Sequence, residues 1–290
     1  MTIQRRLTDI GHYLSNAVLR VLGKALRLLP YSRRLRVGSW IGRAVLMRVP
    51  AARKRVHRNL DMVMPQLTKA DRDRLITGIG DNFGRVLVEE MMMADVVSDP
   101  TRFRASGDGL EALVTAQEQG RGAIIASAHY GNWEGARASA LAQGVEIAGV
   151  YRTHNNPYYN ADFVAALRTL SPNAFSKGRQ GTRDLIKHLR GGGVAEILVD
   201  QKQTGAPLID FLGHPAETTL TAAKLALSMN IPLIPVITFR AADGETFDSV
   251  FAAPIPPSDE HTMMAAVNDQ LSVWIRERPE QWFWFHRRWR

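Results

Sequence analysis

An apolar run from Ala123 to Ala128 stops at His129, turns through Tyr130-Gly131-Asn132, and passes into Trp133-Glu134 and a pattern carried by Ala136, Ala138 and Leu141. A short continuous apolar run bounded by turn residues reads as a buried strand. Gly131 permits a tight turn. Asn132 is a strong helix N-cap, and Glu134 falls where the positive end of a helix dipole favours a carboxylate. The stretch 122–135 therefore predicts strand, turn and helix in quick succession. His129 and Glu134 are five residues apart, which on one continuous helix is a rotation of about 140° onto divergent faces. The pair makes chemical sense only with His129 before the helix and Glu134 in its first turn. There the carboxylate can bond one imidazole nitrogen, fix the tautomer and leave the other nitrogen as a base. A histidine satisfied beside a capping glutamate has the same spacing, so the pair alone does not decide.

From Phe103 onward the same alternation recurs. Helical patterns at 110–119, 133–143, 157–169, 181–190 and 218–229 separate strand patterns at 122–128, 145–151, 194–199 and 233–238. Strands alternating with helices predict an α/β fold, a central and mostly parallel sheet flanked by helices. The preceding segment is different. Leu14, Ala17, Val18, Val21, Leu22, Ala25, Leu28 and Leu29 follow helical spacing, with Arg20, Lys24 and Arg27 on the other side. A second helical region covers 66–97 and ends in Met91–Met93, which read as flexible core filler or as the lining of an acyl channel. The expected division is a helical, membrane-associating region, 1–98, and an α/β domain, 99–290, meeting near Ser98-Asp99-Pro100.

The charge balance points to an acidic partner. The net charge is +9 and the pI about 10.1, which suits anionic lipid, an acidic carrier protein or nucleic acid. A basic amphipathic segment of the 14–58 kind suits an anionic membrane interface. There are no cysteines, which excludes thiolate metal sites and a thiol nucleophile. No signal peptide and no spanning helix is expected.

In open α/β sheets ligands collect beyond the carboxyl ends of the strands. Besides His129, two strand endings there are polar: Tyr151-Arg152, followed by Asn155-Asn156-Pro157, and Asp200-Gln201-Lys202. Arg152 suits a phosphate or a developing oxyanion. Asp200 suits ordering Arg152 or Lys202, contacting an acceptor sugar, or capping its loop. Gly178-Arg179-Gln180-Gly181 enters a helix N-terminus, where anions bind readily. Asn132, Arg152, Arg179, Asp200, Gln201 and Lys202 are thus the candidate substrate contacts, beside His129 and Glu134 as the candidate catalytic pair. At the C-terminus, Trp274, Trp282, Trp284 and Trp289 lie among Arg276, Arg278, His286, Arg287, Arg288 and Arg290. That mixture suits a membrane–water boundary or a phosphate-bearing acceptor, and also single-stranded nucleic acid; a buried tryptophan anchor with a solvated basic tail has the same composition.

His-Tyr-Gly-Asn-Trp-Glu at 129–134 resembles the His-x4-Asp/Glu box of lysophospholipid-type acyltransferases. Its Gly-Asn-Trp-Glu ending is similar to the bacterial lipid A biosynthesis late acyltransferases, the lauroyl and myristoyl transferases. Arg55–Leu60, Asn82-Phe83-Gly84, the Tyr-Arg…Asn-Pro and Asp-Gln-Lys segments, Phe211–Thr219 and the Pro-Glu-Gln-aromatic ending at 279–288 are similar to further blocks of that family. Leu212 departs from the family's usual Phe-Phe-Gly, which implies an altered pocket shape. The resemblance implies a glycerol-3-phosphate acyltransferase-like sheet, and transfer from acyl-acyl carrier protein to a hydroxyl of a lipid A precursor. His129 would act as general base, oriented by Glu134, with no acyl-enzyme. It implies no metal or cofactor, and work at the cytoplasmic face of an inner membrane by a peripheral or monotopic protein, with no nucleic acid partner. The alternatives are an acyl-CoA-dependent transferase for another glycolipid or lysophospholipid, and a non-catalytic basic membrane- or nucleic-acid-binding protein.

Overall fold

A computed structural model describes residues 3–289; Arg290, one of the C-terminal basic residues, lies outside the described residues. Five helices come first: α1 (Ile3–Arg27), α2 (Tyr31–Arg48), α3 (Pro50–Val63), α4 (Lys69–Met91) and α5 (Met93–Val97). There follow β1 (Phe103–Ser106), α6 (Asp108–Glu118), β2 (Ala123–Ser127), α7 (Gly135–Leu141), β3 (Ile147–Tyr151), α8 (Pro157–Leu167), β4 (Ala174–Ser176) and α9 (Arg179–Arg190). The chain ends with β5 (Val194–Leu198), β6 (Leu208–Phe211), β7 (His214–Glu217), α10 (Thr221–Met229), β8 (Leu233–Arg240), β9 (Phe247–Phe251) and α11 (Glu260–Glu277).

The sheet has the order β1-β9-β8-β2-β5-β3-β4. Five strands from β8 to β4 run parallel, and β9 joins β8 antiparallel with β1 beside it. The α/β expectation holds. The short strands β1 and β4, the β6–β7 hairpin, β9 and α11 are additions to it. β2 is buried along its whole length. Its alternate residues feed two cores: Ile124 and Ala126 pack with α9 and α10, and Ile125 packs with Ala136 and Ala140 of α7. Because β2 and β5 are parallel neighbours with Ser127 opposite Leu198, the residues that follow both strands emerge side by side.

The helical region reaches the α/β layer through α4. Thr68 caps α4 by accepting from Asp71 N–H. Glycines let α2 and α4 touch along their backbones: a Cβ on Gly84 would lie 1.9 Å from Gly38 O. Farther along α4, Glu89 is buried and bonds Arg240 of β8 through both oxygens, at 2.6 and 2.7 Å. Tyr31 and Asn132 donate to the same carboxylate. The hub therefore joins α2, α4, β8 and the turn after β2. Met92 and Met93 are core residues, whereas Met91 lines a groove of about 440 Å³ between α1 and α8.

The C-terminal segment is part of the interior. Trp274, Trp282, Trp284 and Trp289 are buried, and so is Arg288, which donates to Glu217 O and Thr218 Oγ1. This corrects the expectation that these aromatics face a membrane boundary or an acceptor phosphate. Leu212 is also core: it occupies the two-residue turn of the β6–β7 hairpin at φ +56°, with Gly213 at +88°, a turn form that matches strand twist. Its departure from the family pattern is a matter of hairpin packing, and Leu212 does not line the cavity at the strand ends.

One charge breaks the apolar interior of the sheet. Glu196 lies in the middle of β5, 5 % exposed, opposite Ile125 and Gly149. Burial, followed by the neighbouring Glu134, pushes its carboxyl up to about 8, against the pull of Arg137 and Ser127.

Two outcomes are expected. Glu89→Ala leaves Arg240 buried without its partner and costs about 3–5 kcal/mol in denaturant unfolding; a loss under 1 kcal/mol would show that the hub carries no stability. Glu196 holds a proton in the folded state that the unfolded chain loses near pH 4.5. Stability from this group is complete below that pH and is lost as pH rises to about 8. Glu196→Gln should therefore match wild type at pH 4 and exceed it at pH 8. Parallel stability curves for the two proteins would contradict the raised value.

Candidate active site

The turn after β2 is clamped from several sides. Gly131 has φ +55°, and a Cβ there would lie 2.1 Å from Thr238 O, so only glycine fits. Gly131 N–H donates to Gln281 O, and Phe283 N–H donates to His129 O. Asn82 of α4 donates to Gln281 O at 3.1 Å. Asn132 is buried; its Oδ1 accepts from Glu134 N–H and its Nδ2 donates to Glu89. Both ends of this side chain are engaged within the protein: Asn132 holds the turn rather than contacting substrate, and the N-cap of α7 is Glu134, two residues later than the sequence suggests.

His129 leaves this turn beside the end of β5. Its Nδ1 lies 2.7 Å from Asp200 Oδ1, and its own backbone N–H donates to Asp200 Oδ2 at 2.9 Å. Trp282 Nε1–H donates to the same Oδ2 at 2.9 Å. Burial alone would raise this carboxyl. The His129 charge and hydrogen bond, with His286 and Trp282, outweigh burial and hold it well below the usual carboxylate range. An ionised, fully buried acceptor requires the Nδ1–H tautomer, which leaves Nε2 as the acceptor. Gln201 meets that requirement: its amide nitrogen lies 3.0 Å from His129 Nε2 and 2.8 Å from His286 Nε2. Burial, followed by the His129 charge, lowers His286 to about 4, so it too accepts. One amide group thus bridges two imidazoles.

The group that braces His129 is Asp200, not the Glu134 inferred from spacing. Glu134 Oε2 instead lies 2.5 Å from Arg137 Nη1. Arg137 is buried and also donates to Ile147 O and Leu167 O, lying flat over Gly149. The reason is topological. Ser127 pairs with Leu198, so His129 and Asp200 continue that register, while Glu134 follows a turn that carries it over the opposite rim. His129 and Glu134 still face one cavity.

That cavity holds about 340 Å³ and crosses the carboxyl ends of β2, β5 and β3. His129, Glu134, Arg152 and Gln201 line it, together with Glu90, Arg137, Lys177, Glu196 and His286. His129 is 17 % exposed at its side chain, enough for a reactant to reach Nε2 once Gln201 moves. Burial, with Glu134 and Glu89, pushes Glu90 up to about 8. Two candidates lie elsewhere. Lys202 turns to Glu217, 3.2 Å away. Arg179 opens α9 without lining the cavity; Lys177, two residues earlier, lines it. Among the described residues no cluster of His, Asp and Glu is arranged to hold a metal.

Sequence reasoning missed the partnership of His129 with Asp200, and missed His286, Arg137, Glu90 and Glu196. A signal existed for one of them: a glutamate inside the apolar run Val194–Val199 is costly unless the site uses it.

The chain is 28 % identical over 270 residues to the lipid A biosynthesis lauroyltransferase of Escherichia coli (strain K12), covering 90 % of this chain and 86 % of that one. The palmitoleoyltransferase of the same organism is 27 % identical over the same length and coverage. The myristoyltransferase is 22 % identical over 244 residues, 81 % of this chain and 74 % of the other. The family profile described as bacterial lipid A biosynthesis acyltransferase matches residues 3–290. The chain belongs to the bacterial lipid A biosynthesis acyltransferase family, and it is an acyltransferase.

Proposed function

We propose that the protein transfers a fatty acyl chain from an acyl-acyl carrier protein thioester to a hydroxyl of a lipid A precursor, with His129 as general base and Asp200 as its brace. The observation that carries this reading is the His129 imidazole, held on Nδ1 by a buried carboxylate and opening on Nε2 into the strand-end cavity. The acceptor hydroxyl displaces the Gln201 amide from Nε2 and gives its proton to that nitrogen. The oxygen forms a bond to the thioester carbonyl carbon. Asp200, already ionised, lies against the ring as it becomes positive. Arg152 and Lys177, at the cavity rim, offer positive charge to the tetrahedral oxyanion. Collapse breaks the carbon–sulfur bond, and the thiolate leaves with the proton held by His129. The step needs no enzyme nucleophile. Glu134 fixes Arg137 and shapes the cavity wall.

The acidic carrier and the anionic acceptor both suit a chain of net charge +9. α1 presents an exposed apolar stripe, Leu7, Ile10, Leu14, Val18 and Val21, and Leu28 after it and Trp40 and Met47 on α2 are exposed as well. Its polar side is tied to the domain through Arg20 and Asp162, 2.6 Å apart. Among the described residues no helix is long and apolar enough to cross a membrane. The helix is suited to lie in the plane of an anionic interface, which supports a place at the cytoplasmic face of the inner membrane.

With purified protein, acyl carrier thioester and lipid A precursor, His129→Ala should lower kcat by about 10²–10⁴-fold. Asp200→Asn should fall in the same range, since it disturbs the tautomer, and Glu134→Gln should be milder. Wild-type turnover in Asp200→Asn with collapse in Glu134→Gln would return the brace to Glu134. Separately, Leu14→Asp with Val18→Asp should weaken binding to phosphatidylglycerol vesicles at least about 10-fold in a flotation assay, given about 1.5–3 kcal/mol for each large apolar side chain. Unchanged flotation would exclude α1 as the contact.

A further inference from the structure

The catalytic cavity has a polar floor that the transfer reaction does not require. Glu196 lies two residues deeper along the sheet than the level of Ser127 and on the face covered by α7. Its side chain is 5 % exposed and lines the cavity, and its Oε1 has no hydrogen-bond partner among the described residues. Burying a polar atom unpaired is costly, and the rest of β5 is apolar. A leucine or valine would fill this position at no such cost. Glu196 and His129 line the same cavity.

The surroundings restrict what that molecule can bring. Glu134 stands beside Glu196 and raises its carboxyl, so an anion placed against this one side chain is repelled. Arg137 is buried against Gly149 on the adjoining strand, so a cation is opposed as well. With burial pushing Glu196 up to about 8, the group is a neutral acid near pH 7 and can both donate and accept one hydrogen bond. An uncharged hydroxyl matches that capacity atom for atom.

We infer that Glu196 forms a recognition subsite at the cavity floor for a hydroxyl carried by one of the two substrates, in addition to the hydroxyl that is acylated. This rests on the reading of the cavity as the acyl-transfer site. The hydroxyl has two sources, a hydroxylated acyl chain on the donor or a second hydroxyl of the acceptor. The subsite makes the enzyme discriminate by hydrogen bonding. A site built to bond a hydroxyl rejects the analogue that lacks it, because its own polar atom is then left unpaired.

The test uses the full chain and the variants Glu196→Leu and Glu196→Gln. One arm holds the lipid acceptor fixed and compares carrier thioesters of equal length with and without a chain hydroxyl. The other holds the donor fixed and compares the acceptor with deoxy analogues. Affinity for free fatty acids of equal length, with and without the hydroxyl, is measured by calorimetry in parallel. Wild type should prefer the hydroxylated member of one pair by about 10-fold or more in kcat/KM. Glu196→Leu should abolish or reverse that preference, and Glu196→Gln should keep part of it. The arm that responds identifies the source. No preference in wild type, or a Glu196→Leu effect equal for both members of every pair in turnover and binding, would overturn the subsite. Discrimination in binding by wild type without any turnover would leave the subsite standing and refute the transfer reading instead.

Discussion

One carboxylate organises the candidate site. Asp200 is fully buried and accepts from the His129 ring, the His129 backbone and the Trp282 indole. Burying such a charge is tolerable only with this many donors. The three bonds fix where the turn after β2 sits, which imidazole nitrogen carries the proton, and where the C-terminal segment crosses the strand ends. Removing any one donor leaves the buried charge with less compensation, so position and protonation are set together. The same logic reaches the far nitrogen. With Nδ1 committed to Asp200, Nε2 accepts, and Gln201 shares its amide with the equally accepting His286.

A second buried ion pair stabilises the frame around the first. Glu89 and Arg240 lie beneath the turn and tie α4 to β8, while Asn132 and Tyr31 satisfy the remaining acceptor sites of the carboxylate. Asn59 of α3 holds the backbone carbonyls of Trp284 and His286 from the other side, at 2.8 and 2.9 Å. The helical region is therefore a support for the reactive turn as well as a carrier of the exposed apolar stripe. Hydrogen bonds to Asp200, Gln201 and the turn backbone hold the His129 imidazole in place, as the proposed general-base role requires.

The sequence carries the local part of this arrangement plainly. The run Ala123–Ala128, the glycine turn and the helix after it are legible, because each follows from the periodicity and turn chemistry of a few adjacent residues. So is the placement of His129, Arg152 and Gln201 at strand ends. The order of the strands is not legible: that β5 lies beside β2 follows from packing of both sheet faces, and the pairing of His129 with Asp200 depends on it. Glu134 is the closer residue in sequence, and Asp200 is the one in contact. Short elements such as β1, β4 and the β6–β7 hairpin are decided by their neighbours rather than by propensity. α11 is absent from the sequence expectations, although Asp259 caps it and Met263, Val267, Leu271 and Trp274 mark its buried stripe. The buried tryptophans were misleading because an aromatic beside an arginine looks alike at a membrane boundary and in a core.

The central claim is that Asp200 sets the proton on His129, and nitrogen-15 NMR of the labelled imidazole tests it directly. Wild type should show a strongly downfield Nδ1–H proton and an unprotonated Nε2. Asp200→Asn should lose that proton signal or mix the tautomers, while Glu134→Gln retains it. An unchanged His129 spectrum in Asp200→Asn, with the signal lost in Glu134→Gln, would contradict the account.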